Sequence, residues 1–192
     1  MGQSKEEDAL VARELGSIAK GCYIDFGAGD PSISNTWVLY QRGWRGLCVE
    51  PIEEEAAYLA IHRPEDKILM VALGPWNGDI LFGVHGGNTS IEALRPFDSE
   101  HFPKRHITCR RPMSILEDFP EFLDKPFEFC DIDIEESEQF AIPMIDWRRF
   151  QPGFLMVEVC HGRSWEWAIK PFYETIFDDG SNAFYRRKNR NA

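Results

Sequence analysis

Short apolar runs alternate with longer amphipathic segments along most of the chain, which is the pattern of strands and helices in a parallel α/β sheet. The strands of the main sheet are predicted at residues 22–26, 46–50, 67–73, 127–134 and 154–159. Helices are predicted before and between them, at about 4–18, 35–42, 51–61, 137–145 and 164–170. Two further apolar runs flank the turn-forming residues 178–182, so the chain is expected to end in an antiparallel hairpin.

The pattern is weaker between the third and the fourth of these strands. Residues 79–84 are typical of an edge strand, residues 86–90 of a loop and residues 107–113 of a short strand. A helix is predicted to start at Ser114, with Glu117 as the acid of a capping box. No linker, repeat or low-complexity tract interrupts the chain. All 192 residues are therefore expected to form one domain, with a helical segment within about 1–20 and a basic tail at about 186–192.

Charge and composition exclude several classes of partner. The net charge is −11, which disfavours nucleic acid, since phosphate binding needs a positive surface. No apolar run reaches membrane-spanning length, and the first residues lack the apolar segment of a signal peptide, so we expect no membrane partner and a cytoplasmic location. The five cysteines are odd in number and form no CxxC pair, which favours buried thiols over disulfides or a zinc site.

The first predicted strand ends in Asp25 and Phe26 and then breaks into a turn that contains Gly27 and Gly29. Such a turn offers bare backbone N–H groups and lets the backbone approach a ligand closely. The second strand ends in Glu50, 23 residues after Gly27, where a carboxylate can accept both hydroxyls of a ribose. Together these features predict a nucleoside pocket at the carboxyl ends of the first two strands.

The residues after the glycine turn distinguish between nucleoside cofactors. A dinucleotide fingerprint has glycine or alanine three positions after Gly29, where helix and strand pack closely, whereas this chain has Ser32 preceded by Pro31. S-adenosylmethionine carries no pyrophosphate and does not need that third glycine. The pattern therefore favours S-adenosylmethionine, with a nicotinamide dinucleotide as the alternative.

Acidic residues follow the fourth and fifth strands at the same edge of the predicted sheet. Asp131, Asp133 and Glu135 are expected on one face of an extended chain, at the carboxyl end where ligands bind in open α/β sheets. Asp133 and Glu135 are candidates to hold a cationic donor or to take a proton. Glu158 lies inside the apolar fifth strand, and His161 after it is a candidate general base. A metal site is not predicted, because no acid or histidine cluster shows clear ligand spacing.

Four segments resemble the FkbM family of S-adenosylmethionine-dependent methyltransferases. They read YIDFGAGDP at 23–31, RGWRGLCVEP at 42–51, IDIE at 132–135 and FDDGSNAFY at 177–185, and the resemblance extends over most of residues 21–187. It implies a class I methyltransferase-like (Rossmann-like) parallel sheet. The implied activity is S-adenosylmethionine-dependent O-methyl transfer to a hydroxyl of a sugar, glycan or other small molecule.

The resemblance also implies roles for individual residues. Those implied to line the methionine part of the donor are Asp25, Gly27, Ala28 and Gly29. Those implied around the adenosine are Glu50 at the ribose, Pro51 and Ile52 beside the adenine, and Ala72 and Leu73 near the adenine edge. Asp133 is implied to lie near the donor's amino-acid end and the transferred methyl group.

One position departs from the family motif I-D-V-E-G. The motif's glycine is Glu136 in this chain, and glycine at that place permits a close turn that a bulky side chain resists. This departure leaves a second class of function open, which is an S-adenosylmethionine-binding or interaction module that has lost catalysis. A nicotinamide-dependent oxidoreductase is the third alternative.

Overall fold

The computed structural model shows an α/β fold with two sheets, and it describes residues 5–32, 34–85, 88–91, 103–159 and 162–188. The strands are β1 (Cys22–Phe26), β2 (Arg45–Val49), β3 (Lys67–Leu69), β4 (Ala72–Leu73), β5 (Gly78–His85), β6 (Asn88–Ile91), β7 (Lys104–Arg110), β8 (Phe127–Ile132), β9 (Pro152–Glu158), β10 (Tyr173–Asp178) and β11 (Asn182–Arg187). The helices are α1 (Lys5–Leu15), α2 (Trp37–Gln41), α3 (Glu53–His62), α4 (Pro112–Leu116), α5 (Glu138–Ala141) and α6 (Glu166–Ile169). Short 3-10 turns occur at Pro120–Phe122 and Ile142–Met144.

The main sheet has seven strands in the order β10-β11-β9-β8-β1-β2-β3. Neighbouring strands from β9 through β8, β1 and β2 to β3 are parallel, whereas β11 runs antiparallel to both β9 and β10. The predicted parallel sheet with a terminal antiparallel hairpin is confirmed. The chain order reverses between β1 and β8, and open α/β sheets bind ligands at such a point, outside the carboxyl ends of the strands.

Both faces of the main sheet are covered by helices, which explains why its central strands read as continuous apolar runs. One face carries α1, α2 and α3, which contribute the buried Leu10, Leu39 and Leu59. Residues of α4, α5 and α6 pack on the other face, in a core that includes Phe26 and Ile132. Within the described residues, no helix combines the length and the apolar character needed to cross a membrane.

The predicted third strand is in fact two strands that belong to different sheets. Residues 67–69 (β3) pair with β2, and the chain then turns away, so that β4 joins a second sheet of order β4-β7-β5-β6. Apolar side chains face a core in both sheets, so the apolar pattern did not mark the break. Residues 88–90, predicted as part of a loop, belong to β6 (Asn88–Ile91), whereas residues 86 and 87 lie outside the described residues.

Two further predicted boundaries are wrong for local reasons. The helix expected from Ser114 begins at Pro112, because proline suits the first helical position, and Glu117 lies at the end of that helix instead of capping its start. Arg186, predicted to lie in the basic tail, belongs to β11 and forms an ion pair with Glu14 of α1 at 2.6 Å. Residues 189–192 of the predicted tail lie outside the described residues.

The cysteines of the described residues are free thiols. Cys48, Cys109 and Cys130 are buried and Cys22 is half-buried, and burial raises the pKa of each thiol above its ordinary value. They therefore pack as small apolar residues. Cys160 lies outside the described residues.

Candidate active site

The glycine turn that follows β1 directly contacts the chain at the end of β8. Gly27 has a φ of +88°, and a Cβ atom there would lie 1.6 Å from the carbonyl oxygen of Asp133. The N–H of Asp133 donates to the carbonyl of Phe26 at 2.9 Å and joins the same two segments. Only glycine fits this contact. The contact places Asp133 beside the turn, at the carboxyl ends of the two central strands.

Glu50 connects the glycine turn to the loop that follows β2. Its Oε2 accepts a hydrogen bond from the N–H of Gly29 at 2.9 Å, and its Oε1 accepts one from the N–H of Ile52 at 2.8 Å. Glu50 is only 5% exposed, and burial raises its pKa to about 7 although the two N–H bonds act in the opposite direction. Each oxygen retains a lone pair. The fixed carboxylate can therefore accept two more hydrogen bonds, which is the number that two ribose hydroxyls donate.

The N–H groups of the turn are not bare, and that part of the prediction is wrong. Those of Gly27 and Ala28 donate to the carbonyl of Val49 at 2.9 and 3.2 Å, and that of Gly29 donates to Glu50. A pyrophosphate bound at this turn would need free N–H donors, whereas these three are occupied. The turn therefore suits a nucleoside without a pyrophosphate better than it suits a dinucleotide.

Asp25 lies beneath the glycine turn in a buried polar network. Its carboxylate accepts hydrogen bonds from the hydroxyls of Ser34, at 2.7 Å, and Thr36. Nη1 of the fully buried Arg63 lies 3.4 Å from the same carboxylate. These bonds hold Ser34 and Thr36, which follow the turn, in place. The contact between Asp25 and a donor remains a prediction.

Asp131 extends the same buried layer, because it is the register partner of Asp25 on the neighbouring strand β8. Its Oδ2 accepts a hydrogen bond from Nδ2 of Asn35 at 3.0 Å. Burial raises the pKa of Asp131 well above its ordinary value, and the negative charge of Asp25 raises it further. When Asp131 is protonated, the charge of Asp25 is balanced by the guanidinium of Arg63.

Three carboxyl groups converge at the carboxyl ends of β8 and β9. One side-chain oxygen from each of Asp133, Glu138 and Glu158 lies within 4.8 Å of the others. Burial, followed by the charge of Glu158, raises the pKa of Asp133 well above its ordinary value. Burial also raises the pKa of Glu138 to about 8. A carboxylate with a raised pKa is a stronger proton acceptor, which suits it to act as a general base.

Glu138 was missed by the sequence reasoning. It is the first residue of α5 and is 3% exposed, and its Oε1 accepts the N–H of Ile134 at 2.7 Å. An acid in the first turn of a helix that follows the acidic end of a strand was the available signal. The three converging carboxyls are also of the oxygen type that Mg²⁺ and Ca²⁺ bind. The absence of a metal site therefore stays a prediction.

Glu135 and Glu136 form a turn and not an extended chain. The strand β8 ends at Ile132, and the φ angles of Glu135 and Glu136 are +52° and +73°. The predicted placement of Glu135 on one extended face with Asp133 is therefore wrong, and its role in catalysis stays a prediction. The close turn that the family glycine favours is kept with glutamate, at a cost of roughly 1 kcal/mol for a left-handed backbone.

We expect Glu136→Gly to raise the free energy of unfolding by about 0.5–1 kcal/mol, because glycine adopts the left-handed conformation without steric cost. Chemical denaturation measures the change. Glu117→Gly is the matched control, since Glu117 has a φ of −67° and the same substitution there should be destabilising. A destabilised Glu136→Gly variant would show that the glutamate side chain contributes more than its backbone conformation costs.

The remaining predicted residues divide between a cleft and the core. A cleft of about 190 Å³ is lined by Met70 and by the predicted residues Pro51 and Ile52. The residues expected at the adenine edge, Ala72 and Leu73, are buried in the second sheet and do not line this cleft, and their role at the adenine stays a prediction. His161 lies outside the described residues, and its role as a base stays a prediction.

Comparisons with known proteins identify a family and a similar fold for this chain. A family model described as the methyltransferase FkbM domain matches residues 25–184. A solved structure of similar fold is a TehB-like SAM-dependent methyltransferase from Corynebacterium glutamicum, with a TM-score of 0.50 and 11% sequence identity over 97% of this chain and 90% of that one. At this identity the likeness shows the fold alone, which is the class I methyltransferase sheet. No curated protein matches the sequence.

Proposed function

Because the chain belongs to the FkbM methyltransferase family, we propose that it transfers a methyl group from S-adenosylmethionine to a hydroxyl of a sugar, glycan or other small molecule. The observation that carries the proposal is the fixed carboxylate of Glu50, which the N–H groups of Gly29 and Ile52 hold beside the glycine turn. A small acceptor is favoured over nucleic acid, because the net charge of −11 repels phosphate.

In this proposal the donor lies across the carboxyl ends of β1, β2 and β8. Glu50 accepts the two ribose hydroxyls with the lone pairs that its N–H bonds leave open. The methionine part follows the turn from Gly29 and Gly27 toward Asp133, which adjoins that turn. The sulfonium cation of the donor would lie near the carboxyl groups of Asp133, Glu138 and Glu158, and its charge would favour their ionised forms.

Methyl transfer to oxygen releases one proton. The bound donor would supply the methyl group and leave as a neutral thioether. The hydroxyl oxygen of the acceptor would take the methyl group and pass its proton to a carboxylate of this chain. Asp133 is the base that we favour, because it adjoins the turn and burial raises its pKa, which makes its carboxylate a stronger proton acceptor. Glu138, with a pKa of about 8, is the second candidate. Alignment of donor and acceptor supplies the rest of the rate enhancement.

Glu50→Ala should weaken S-adenosylmethionine binding by about 1–3 kcal/mol, because the ribose hydroxyls lose a charged acceptor. Isothermal titration calorimetry measures the effect. A parallel titration of the wild-type protein with NAD should show no binding, since the turn's N–H groups are occupied. Glu174→Ala is the control, because Glu174 is an exposed acid on β10 and its removal should leave the affinity unchanged.

Two results would contradict this proposal in different ways. Tight binding of NAD, without binding of S-adenosylmethionine, would show that the site holds a dinucleotide and not the methyl donor. Binding of S-adenosylmethionine with equal affinity by the wild type and Glu50→Ala would keep the donor but place its ribose elsewhere.

A further inference from the structure

The cleft beside Glu50 is bounded by two different parts of the fold. Pro51, Ile52 and Met70 line one wall, and residues 105–108 of β7 in the second sheet line the other. The N–H of Ile52 is bonded to Glu50 at 2.8 Å. A group attached to a ribose at Glu50 is therefore close enough to enter this cleft.

One edge of β7 directs backbone groups toward the cleft. β7 pairs with β5 from Lys104 to Cys109 but with β4 only at Cys109 and Arg110. The carbonyl of Arg110 accepts a hydrogen bond from Gly74 on the β4 side at 3.1 Å. Backbone groups of alternate residues point to the same side of a strand, so those of residues 106 and 108 point there too. Within the described part of the chain, β4 is the strand on this side and its register begins at Cys109, so no strand pairing uses the carbonyl of His106 or the N–H of Thr108.

Two neighbouring groups on this edge form an acceptor and donor pair. The carbonyl of His106 accepts and the N–H of Thr108 donates, with the spacing that a partner strand would use. Adenine presents the complementary pair along one edge, because its N6 amino group donates and its N1 accepts. Ile52 and Met70 supply apolar surface for the ring, and half of the Met70 surface (51%) is exposed.

We propose that the edge of β7 recognises the adenine of the methyl donor, with the N6 amino group donating to the carbonyl of His106 and N1 accepting from the N–H of Thr108. The inference rests on the proposed function, because it starts from the ribose at Glu50. It gives the second sheet a place in the donor site. The sequence could not suggest this role, since recognition by backbone groups leaves no side-chain signature.

A change of the nucleobase tests this pairing directly. In hypoxanthine an oxygen replaces the N6 amino group and N1 carries a hydrogen, so both hydrogen-bonding partners are reversed. We expect S-inosylhomocysteine to bind roughly 10- to 100-fold more weakly than S-adenosylhomocysteine, since two polar groups would meet mismatched partners. Calorimetry on the full chain with both ligands gives the ratio.

Thr108→Pro removes the edge N–H and should spare the pairing with β5, because the N–H of residue 108 points away from β5. Affinity for S-adenosylhomocysteine should fall about tenfold, and the preference over the inosyl ligand should shrink. Asp79→Ala is the control, because it removes the hydroxyl contact of Thr108 with Asp79 at 3.4 Å and leaves the backbone of β7 intact. It should bind both ligands like the wild type. Thermal unfolding shows whether each variant is folded. The ratio of the wild-type affinities for the adenosyl and inosyl ligands tests the proposal without either variant.

The outcomes separate this inference from the function on which it rests. Equal affinity of the wild type for the adenosyl and inosyl ligands would overturn recognition by β7 and leave the methyl donor in place. Unchanged ligand preference in a folded Thr108→Pro variant would overturn it as well. Binding of neither ligand would overturn the proposed function, and this inference with it.

Discussion

Asp133→Asn is expected to lower methyl transfer about 10²- to 10⁴-fold, which is the usual effect of removing a general base. The backbone of Asp133 contacts the glycine turn, and its carboxyl converges with those of Glu138 and Glu158. Asparagine has nearly the same shape but cannot take up a proton. Affinity for S-adenosylmethionine should change by less than about tenfold, because the substitution removes a step of the reaction and not the donor site.

The pH dependence of the wild type provides a second readout of the same residue. Burial and the charge of Glu158 hold the Asp133 carboxyl protonated at pH values where an ordinary aspartate is ionised. A base acts only when it is deprotonated, so turnover should rise with pH through this raised pKa and be lost below it. The residual activity of Asp133→Asn should lack that dependence.

Formation of demethylated donor with a panel of hydroxylated acceptors measures both effects. Asp118→Asn is the control, since Asp118 is an exposed acid that pairs with Arg110 at 2.6 Å, and its activity should equal that of the wild type. Loss of donor binding in Asp133→Asn would assign the carboxyl to the donor's cationic groups. Unchanged turnover would move the base to another residue, with Glu138 as the next to test.

The parts of the site that the sequence predicted are those that depend on neighbours in the chain. A buried parallel strand is apolar on both faces, so the positions of β1, β2, β8 and β9 follow from runs of apolar residues. The acid at the end of such a run lies at the carboxyl edge, so Glu50 and the glycine turn were expected at the same edge, where the structure joins them by a hydrogen bond from Gly29. These features need no knowledge of the rest of the fold.

The parts that the sequence did not predict depend on turns between elements. Glu138 reaches Asp133 only because Glu135 and Glu136 turn the chain back through left-handed conformations, which glutamate rarely adopts. The break between β3 and β4 was hidden because apolar residues serve both sheets. Contacts made by backbone atoms, such as that between Gly27 and Asp133, leave no pattern beyond the glycine itself.

Gly27→Ala tests whether the backbone contact between the turn and Asp133 is as close as the structure shows. We expect the free energy of unfolding to fall by about 2–4 kcal/mol, which combines overpacking with the cost of a left-handed backbone. A Cβ atom at Gly27 would overlap the carbonyl oxygen of Asp133 at 1.6 Å, so β1 and β8 would have to separate at their carboxyl ends. Chemical denaturation measures the loss, and failure to accumulate as soluble protein would be its extreme form.

Gly29→Ala is the matched control, because it isolates the contact from the backbone conformation. Gly29 also has a positive φ of +49°, but its Cβ would approach no atom closer than the carbonyl oxygen of Gly27 at 3.9 Å. Gly29→Ala should therefore cost only about 1 kcal/mol, and it keeps the N–H that donates to Glu50. Donor affinity should follow the same order, with the larger loss in Gly27→Ala, because only that variant moves Asp133 away from the turn. Equal losses in both variants would show that conformation alone, and not the contact with Asp133, explains the glycine at position 27.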